Sequence, residues 1–401
     1  MRISSANAYD ASIDTLLRRQ RDMSDSQVQL TSGKRITRAS DDPSAAAHAE
    51  RALASATRVD ASQRGVQTSQ VLMTQSESAL TDAGELLHRA RELMVAAGNA
   101  AHSDKERLTS ANELRSLREQ LFVVANRSDG GRGYLFGGQG SSTPPFLDTP
   151  TGVQFRGTAG QAVAADGERL PLSLDGQDVW MQTRSGNGVF ETRANLSAGD
   201  AWIDSGNVTN PSLVTDSTYS INFSGPPGAL TYSILKDGAG TAQTNVPFTP
   251  TTSGTLIEID GVAANIKGPP LAGDQFEFRP STPTVSIFDA MDKAVADLTL
   301  PNLTASNRAQ LNGDSLTNID AALSRLTGAR ARVGNALNQI DSTGSRLESQ
   351  KLQAVSERSN AEDLDMVTAI SEFQNKQSGY EAALKSYAMV QKLSLFNYVN
   401  A

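Results

Sequence analysis

Cysteine is absent from all 401 residues, which excludes disulfides, thiolate metal sites and cysteine nucleophiles. Aromatic residues are scarce, at 5%, a composition that suits long helices with narrow seams better than one large globular core. The three histidines, His48, His88 and His102, are never four residues apart. No helix face therefore offers two imidazoles to one metal, and half-exposed helical positions account for all three. No stretch is long and apolar enough to span a membrane. The opening Met1-Arg2-Ile3-Ser4-Ser5-Ala6-Asn7 lacks the apolar run of a Sec signal peptide. The expectation is a protein of the cytosol, or one that leaves by a route using no cleaved signal. Excess positive charge is also missing, the formal net charge being −8. A phosphate-tracking surface needs clustered Lys and Arg, so nucleic acid is not an expected partner. Arg18, Arg19 and Arg21 are interleaved with Asp14, Asp22 and Asp25 and read as a solvated helix face.

What the chain has is a seven-residue apolar repeat at both ends. One series runs Val59, Val66, Met73, Leu80, Leu87, Met94; a second runs Ile319, Leu326, Val333, Ile340, Leu347. A third, Met366, Phe373, Tyr380, Tyr387, approaches the C-terminus. Sustained heptads mark helices that bury one seam against partner helices. Because the repeats open and close the chain, the two termini are expected to pair, making a rod with a central insertion. In the first series the large residues have small companions three positions on, Ser62, Ser69, Ser76, Ala83, Ala90 and Ala97, so neighbouring helices approach closely.

The first helix is predicted over residues 5–31, with Ile13, Leu16, Leu17, Met23, Val28 and Leu30 on one face, ending at Gly33 in a left-handed C-cap. Asp42-Pro43 pairs an N-cap with a first-turn proline and opens a long helix to about residue 101. Ser103 with Glu106 forms a capping box for a third helix with an apolar face of Leu108, Leu114, Leu117, Leu121 and Val124. Between about 134 and 283 the pattern changes. Asp-Gly pairs at 166–167, 175–176, 237–238 and 260–261 favour tight hairpins, and short alternating runs such as Thr255-Leu-Ile-Glu-Ile259 flank them. This is read as antiparallel β in two pieces, the first close to the helices and the second, 195–283, an outer domain. Helix resumes with Phe288, Met291, Val295 and Leu298, breaks at Pro301, and returns over 304–358 and 361–399. Glycines such as Gly65, Gly334 and Gly379 each cost about 1 kcal/mol in a helix interior. The outer helices are thus expected to be marginal, and the tips disordered, until packed.

No motif indicates an enzyme. Ser32-Gly33-Lys34-Arg35 lacks both the earlier glycine and the following Ser or Thr of a phosphate loop. The glycines at 130–133 and 137–140 follow a helix and precede β structure, opposite to a dinucleotide fingerprint, and read as turns. Glu362-Asp363-Leu364-Asp365 suggests either a cation site or dipole-favoured acids before a helix. The second is preferred, with Ser359 or Asn360 as cap.

Residues 31–36, Thr-Ser-Gly-Lys-Arg-Ile, with 39–43, Ala-Ser-Asp-Asp-Pro, resemble the N-terminal signature of the flagellin superfamily. Residues 332–341 with Ala361-Glu-Asp-Leu-Asp365 resemble its C-terminal counterpart. Tyr134-Leu-Phe-Gly-Gly138, leading to Thr143-Pro-Pro-Phe146, and the aromatic ending Gln391-Lys-Leu-Ser-Leu-Phe-Asn-Tyr398 are more similar to the hook-associated protein 3 family than to filament flagellin, the main rival reading. The resemblance implies an α+β fold. N- and C-terminal helices pair in a long coiled-coil bundle, and a mainly antiparallel β insertion forms the outer parts. It implies a terminal assembly domain of 1–42 with 361–401, a rod of 43–194 with 284–360, and an outer β-rich domain of 195–283. The assembly seam is then Leu16, Met23, Leu30, Met366, Ile370, Phe373, Tyr380, Leu384, Tyr387, Leu395 and Phe396. The implied partners are further copies of the chain in a ring, hook-associated protein 1, flagellin and a flagellar export chaperone. The implied route is type III flagellar export, with no catalytic residue and no cofactor.

Overall fold

Local chemistry starts and stops the helices much as the residues suggest. In the computed structural model, which describes residues 2–99, 102–131, 133–163, 169–195 and 200–399 and the side-chain surroundings within 10–389, helix α1 covers Arg2–Ser32. It ends because Gly33 takes φ +66°, which lacks a Cβ penalty only in glycine. Helix α2 (Pro43–Ala97) opens with the Asp42 carboxylate accepting the Ala45 N–H at 3.0 Å. It stops at Gly98, four residues short of the expected end. Helix α3 (Asp104–Ala125) carries the full capping box of Ser103 and Glu106. Helix α4 (Ile287–Thr299) repeats the device with Ser286 and Asp289. Helices α5 (Ala305–Glu362) and α6 (Met366–Val399) complete the helical ends.

Twelve strands are described between α3 and α4: β1 (Phe146–Thr149), β2 (Gly152–Phe155), β3 (Phe190–Asn195), β4 (Trp202–Ile203), β5 (Asn207–Val208), β6 (Tyr219–Ser224), β7 (Thr231–Lys236), β8 (Ala239–Gly240), β9 (Val246–Pro247), β10 (Thr255–Ile259), β11 (Val262–Lys267) and β12 (Gln275–Pro280). All their pairings are antiparallel. β1 and β2 form a separate hairpin. The rest make two sheets, one in the order β3-β12-β6-β7-β8 with β9 against β7, the other β10-β11-β4 with β5 against β11. Alternate residues from both sheets, including Ile221, Ile234, Phe276 and Phe278 from one and Ile203, Ile257, Val262 and Ile266 from the other, meet in one core. The fold is therefore α+β, with helical ends and an antiparallel β insertion.

Two of the Asp-Gly pairs do what their chemistry favours. Asp237-Gly238 and Asp260-Gly261 both have φ between +43° and +84°, the type I′ geometry that matches strand twist. Asp175-Gly176 does not close a hairpin. The Asp175 carboxylate accepts the N–H groups of Gln177 and Asp178 and opens a π-helical turn, Gln177–Met181. Asp166-Gly167 lies outside the described residues.

The chain divides into two compact units, Met1–Arg64 with Thr343–Ala401 and Gly65–Ser342, the divisions falling inside α2 and α5. Within Gly65–Ser342, Val66, Met73, Leu80, Leu87 and Met94 of α2 are buried together with Ser69, Ser76, Ala83, Ala90 and Ala97. Ile319, Leu326, Val333 and Ile340 of α5 are buried as well. The pairs Gln70–Asp341, Glu77–Arg330 and Arg91–Asp320 rise in number on α2 as they fall on α5, so these segments run antiparallel. An aromatic cluster joins the helices to the first hairpin. Trp180 stacks on Phe288 at 5.7 Å and meets Phe136 edge-on at 5.3 Å, and Phe146 touches Trp180 and Phe288. Arg118 of α3 locks the same layer by bridging Asp148 of β1 and Asp292 of α4. On α3 the expected apolar face is buried at Leu114, Leu117, Leu121 and Val124 and departs from expectation only in the first turn. Leu108 is exposed, and Arg107 is buried instead, tied to Asp104 and the Leu300 carbonyl. The core between the two sheets is tethered to the start of α5, where Gln310 accepts the Ile203 N–H at 2.8 Å and Thr304, the residue before the helix, donates to Asp200.

Candidate assembly interface

Within Met1–Arg64 and Thr343–Ala401, two connectors meet. The turn after α1 and the turn after α5 pair like a short piece of antiparallel ladder. The Arg35 N–H donates to the Glu362 carbonyl at 2.8 Å, and the Leu364 N–H donates to the Gly33 carbonyl at 3.0 Å. Lys34 adds an ion pair to Glu362 at 3.2 Å, and the Arg35 guanidinium reaches the Ala361 carbonyl at 2.8 Å. The Gly-Lys-Arg run is thus half of a clasp. Its other half is the acidic run Glu362-Asp363-Leu364-Asp365.

That second half departs from the reading of the sequence. Helix α5 continues to Glu362, so Ser359 and Asn360 are helical, and the cap of α6 is Asp365. Its carboxylate accepts the N–H groups of Val367 and Thr368 and the Thr368 hydroxyl. The Thr368 hydroxyl, followed by these N–H groups, holds the Asp365 carboxyl below the ordinary carboxylate range. Glu362 is shared between Lys34 and Arg358, and Asp363 takes the Ser359 hydroxyl. These acids have protein partners. In the other connector, Asp41 and Asp42 are held below their ordinary range by backbone N–H groups, of Arg38 and Ala45 respectively.

From the clasp, α1 and α6 pack along each other. Of the predicted seam residues, Leu16, Met23 and Leu30 on α1 and Phe373, Tyr380 and Tyr387 on α6 are all half-buried. They lie among polar contacts that heptad reasoning missed. Ser26 is buried at 5% exposure and accepts a hydrogen bond from the Lys376 ammonium at 2.7 Å. Gly379 lies directly against the Arg19 guanidinium. These two pairs, 26 with 376 and 19 with 379, set the helices antiparallel. Met366, Ile370 and Leu384 lie at the edge of this covered stripe. They are exposed, at 44%, 46% and 42%, as are Val367 and Met389 of the same helix. On α1, Leu17 and Val28, expected on the buried face, are exposed too. Leu395 and Phe396 lie outside the residues whose side chains are described. The reason for the split is geometric. Ala369, Phe373, Lys376, Tyr380, Ala383 and Tyr387 step three and four residues along one face of α6, and a single partner helix covers one such stripe.

Two family models match the helical ends, the bacterial flagellin N-terminal helical region over residues 3–141 and the C-terminal helical region over 316–399. Flagellar hook-associated protein 3 of Salmonella typhimurium is 25% identical over 413 residues, covering 99% of both chains. The crystal structure of flagellar hook-associated protein 3 from Legionella pneumophila superposes with a TM-score of 0.71 at 26% identity, covering 77% of this chain and 97% of that one. The chain belongs to the hook-associated protein 3 family of the flagellin superfamily. Membership of that family, rather than of the filament flagellins, is where the likeness is most complete. The flagellin of Bacillus subtilis is 32% identical, but over 123 residues, 30% of this chain and 39% of its own. The family's proteins are structural components of the flagellum, at the junction of hook and filament.

Proposed function

We propose that this chain forms a ring of identical subunits between the hook, through hook-associated protein 1, and the first flagellin subunits. The observation that supports it is the second apolar stripe of α6, exposed after α1 has taken the first. A Leu- or Ile-sized side chain adds roughly 1.5–3 kcal/mol once a partner buries it, so Met366, Ile370 and Leu384 together offer several kcal/mol per contact to neighbouring subunits. In this reading 1–42 with 361–401 is the assembly domain, 43–194 with 284–360 the rod, and 195–283 the outer β-rich part. Marginal terminal helices and the lack of disulfides suit export of an unfolded chain through the flagellar type III apparatus, with an export chaperone covering the apolar ends. The catalytic role assigned to the chain is none; its work is mechanical, adapting a flexible hook to a stiffer filament.

The test is immunogold electron microscopy of flagellated cells with antibody against 195–283. A single band between hook and filament is expected. Label along the whole filament would instead make the chain a filament flagellin, and absence of label from flagella would sink both.

A further inference from the structure

The two-sheet part of the insertion, from β3 to β12, has a core of its own. The buried apolar residues of that core, from Phe190 to Phe278, include none from a helix. What ties this part to the start of α5 is polar. Gln310 accepts the Ile203 N–H at 2.8 Å, the Thr304 hydroxyl donates to the Asp200 carboxylate at 2.8 Å, and the Ser306 hydroxyl donates to the Asp200 carbonyl at 2.9 Å. Two cavities, of about 660 and 640 Å³, lie between α5 and the root of β3 and share Gly186, Ser205 and Thr317. Open space, rather than interdigitated side chains, fills much of this junction, and small polar junctions are where parts of a chain move relative to each other. The chain enters β3 through Gly186-Asn187-Gly188. Both glycines take left-handed φ, +60° and +88°, and glycine sets the fewest steric limits on a turning backbone.

Asp314 follows Gln310 by one helical turn, lines the smaller of these cavities and accepts the Gln310 amide N–H at 2.8 Å. Glu191 and Arg193 of β3 and Asp289, Lys293 and Asp297 of α4 face it. Arg193 is paired with Glu191, and Lys293 with Asp297. We propose that the two-sheet part is a hinged arm, turning at residues 186–188 and held shut on α5 by Gln310, Thr304 and Ser306, and that the charge of Asp314 works against closure. Burial raises the Asp314 carboxyl to about 6, and an arm that swings away lets water reach it. The closed state therefore binds the Asp314 proton more tightly than the open one. Closure is favoured at low pH and weakens as pH rises through about 6. Full return of the carboxyl to its ordinary 3.8 on opening raises the open-to-closed ratio about tenfold between pH 5 and pH 8.

Hydrogen exchange of the full-length chain, followed by mass spectrometry and corrected for the intrinsic rate at each pH, reads the latch at β4, with β6 and β7 as internal reference. Protection of β4 should fall about tenfold from pH 5 to pH 8, while β6 and β7 keep theirs. Asp314→Asn should remove this pH dependence. Gln310→Ala with Ser306→Ala should lower β4 protection at both pH values. In that double variant, nitroxide labels on Ser253→Cys and Asn338→Cys, the only thiols in a chain without cysteine, should report a second distance that the labelled parent lacks at pH 5. Equal loss of protection in β6 and β7 would mean that the arm unfolds rather than swings, and would overturn the proposal. A pH dependence that survives in Asp314→Asn, or one unchanged distance in the double variant, would overturn it as well.

Discussion

Asp314 is a built-in opponent of the fold that holds it, and Asp314→Asn is predicted to stabilise the Gly65–Ser342 unit. Burial of this α5 side chain beside α4 and the β insertion raises the Asp314 carboxyl to about 6; Asp297 and Glu191 push in the same direction, while the Gln310 amide, 2.8 Å away, and Lys293 oppose. The sign follows from linkage. A carboxyl whose folded pKa lies above its unfolded value binds its proton more tightly in the folded state. Its favourable contribution is complete below the unfolded value and is lost as pH rises through about 6. The gap from the ordinary value of 3.8 to about 6 corresponds to about 3 kcal/mol at pH 8, with roughly half of it remaining at pH 5. Asparagine keeps a group of the same shape beside Gln310 without the charge. Urea unfolding followed by tryptophan fluorescence reads this unit directly, because both tryptophans, Trp180 and Trp202, lie inside it. The variant's advantage should be largest at pH 8, about half as large at pH 5, and nearly gone at pH 4. An advantage independent of pH, or a variant less stable than the parent at pH 8, would refute the account of a buried, charged Asp314.

The terminal helix pair separates two kinds of substitution. Phe373→Asp, on the face covered by α1, should expose α1 and α6 to limited proteolysis in the isolated chain, and both Phe373→Asp and Leu384→Asp should abolish incorporation into flagella. Leu384→Asp, on the uncovered face, should leave the protease pattern of the isolated chain unchanged. Ser103→Ala removes the acceptor for the Glu106 N–H and should cost about 1 kcal/mol in urea unfolding.

Much of the fold was legible because its rules are local. The capping box of α3, the Asp42-Pro43 start of α2 and the left-handed Gly33 each depend on a few neighbouring residues, and all stand where the chemistry points. The failures share a different character. Asp175-Gly176 has the residues of a hairpin turn, but packing of the adjacent Trp180 among Phe136, Phe146 and Phe288 accompanies a π-helical turn instead. Leu108 has the character of a buried residue, but Arg107 is drawn into the interior where it reaches the Leu300 carbonyl. In both cases a partner distant in sequence decides the outcome, and periodicity contains no information about it.

The assembly seam shows the same limit in its most useful form. A heptad count on α6 selects apolar positions without saying who covers them, so Phe373 and Leu384 look alike in the sequence. The structure divides them. Positions that step with Phe373, Tyr380 and Tyr387 are half-buried, while Met366, Ile370 and Leu384, at the edge of that stripe, are exposed. Even the covered stripe is not a purely apolar coiled coil. Ser26 with Lys376, and Arg19 over Gly379, place polar groups where a strict heptad would place leucine. A polar pair inside a seam sacrifices stability for register. On the ring reading, α1 and α6 paired in that register hold the uncovered stripe of α6 in a defined direction for docking onto a neighbouring copy.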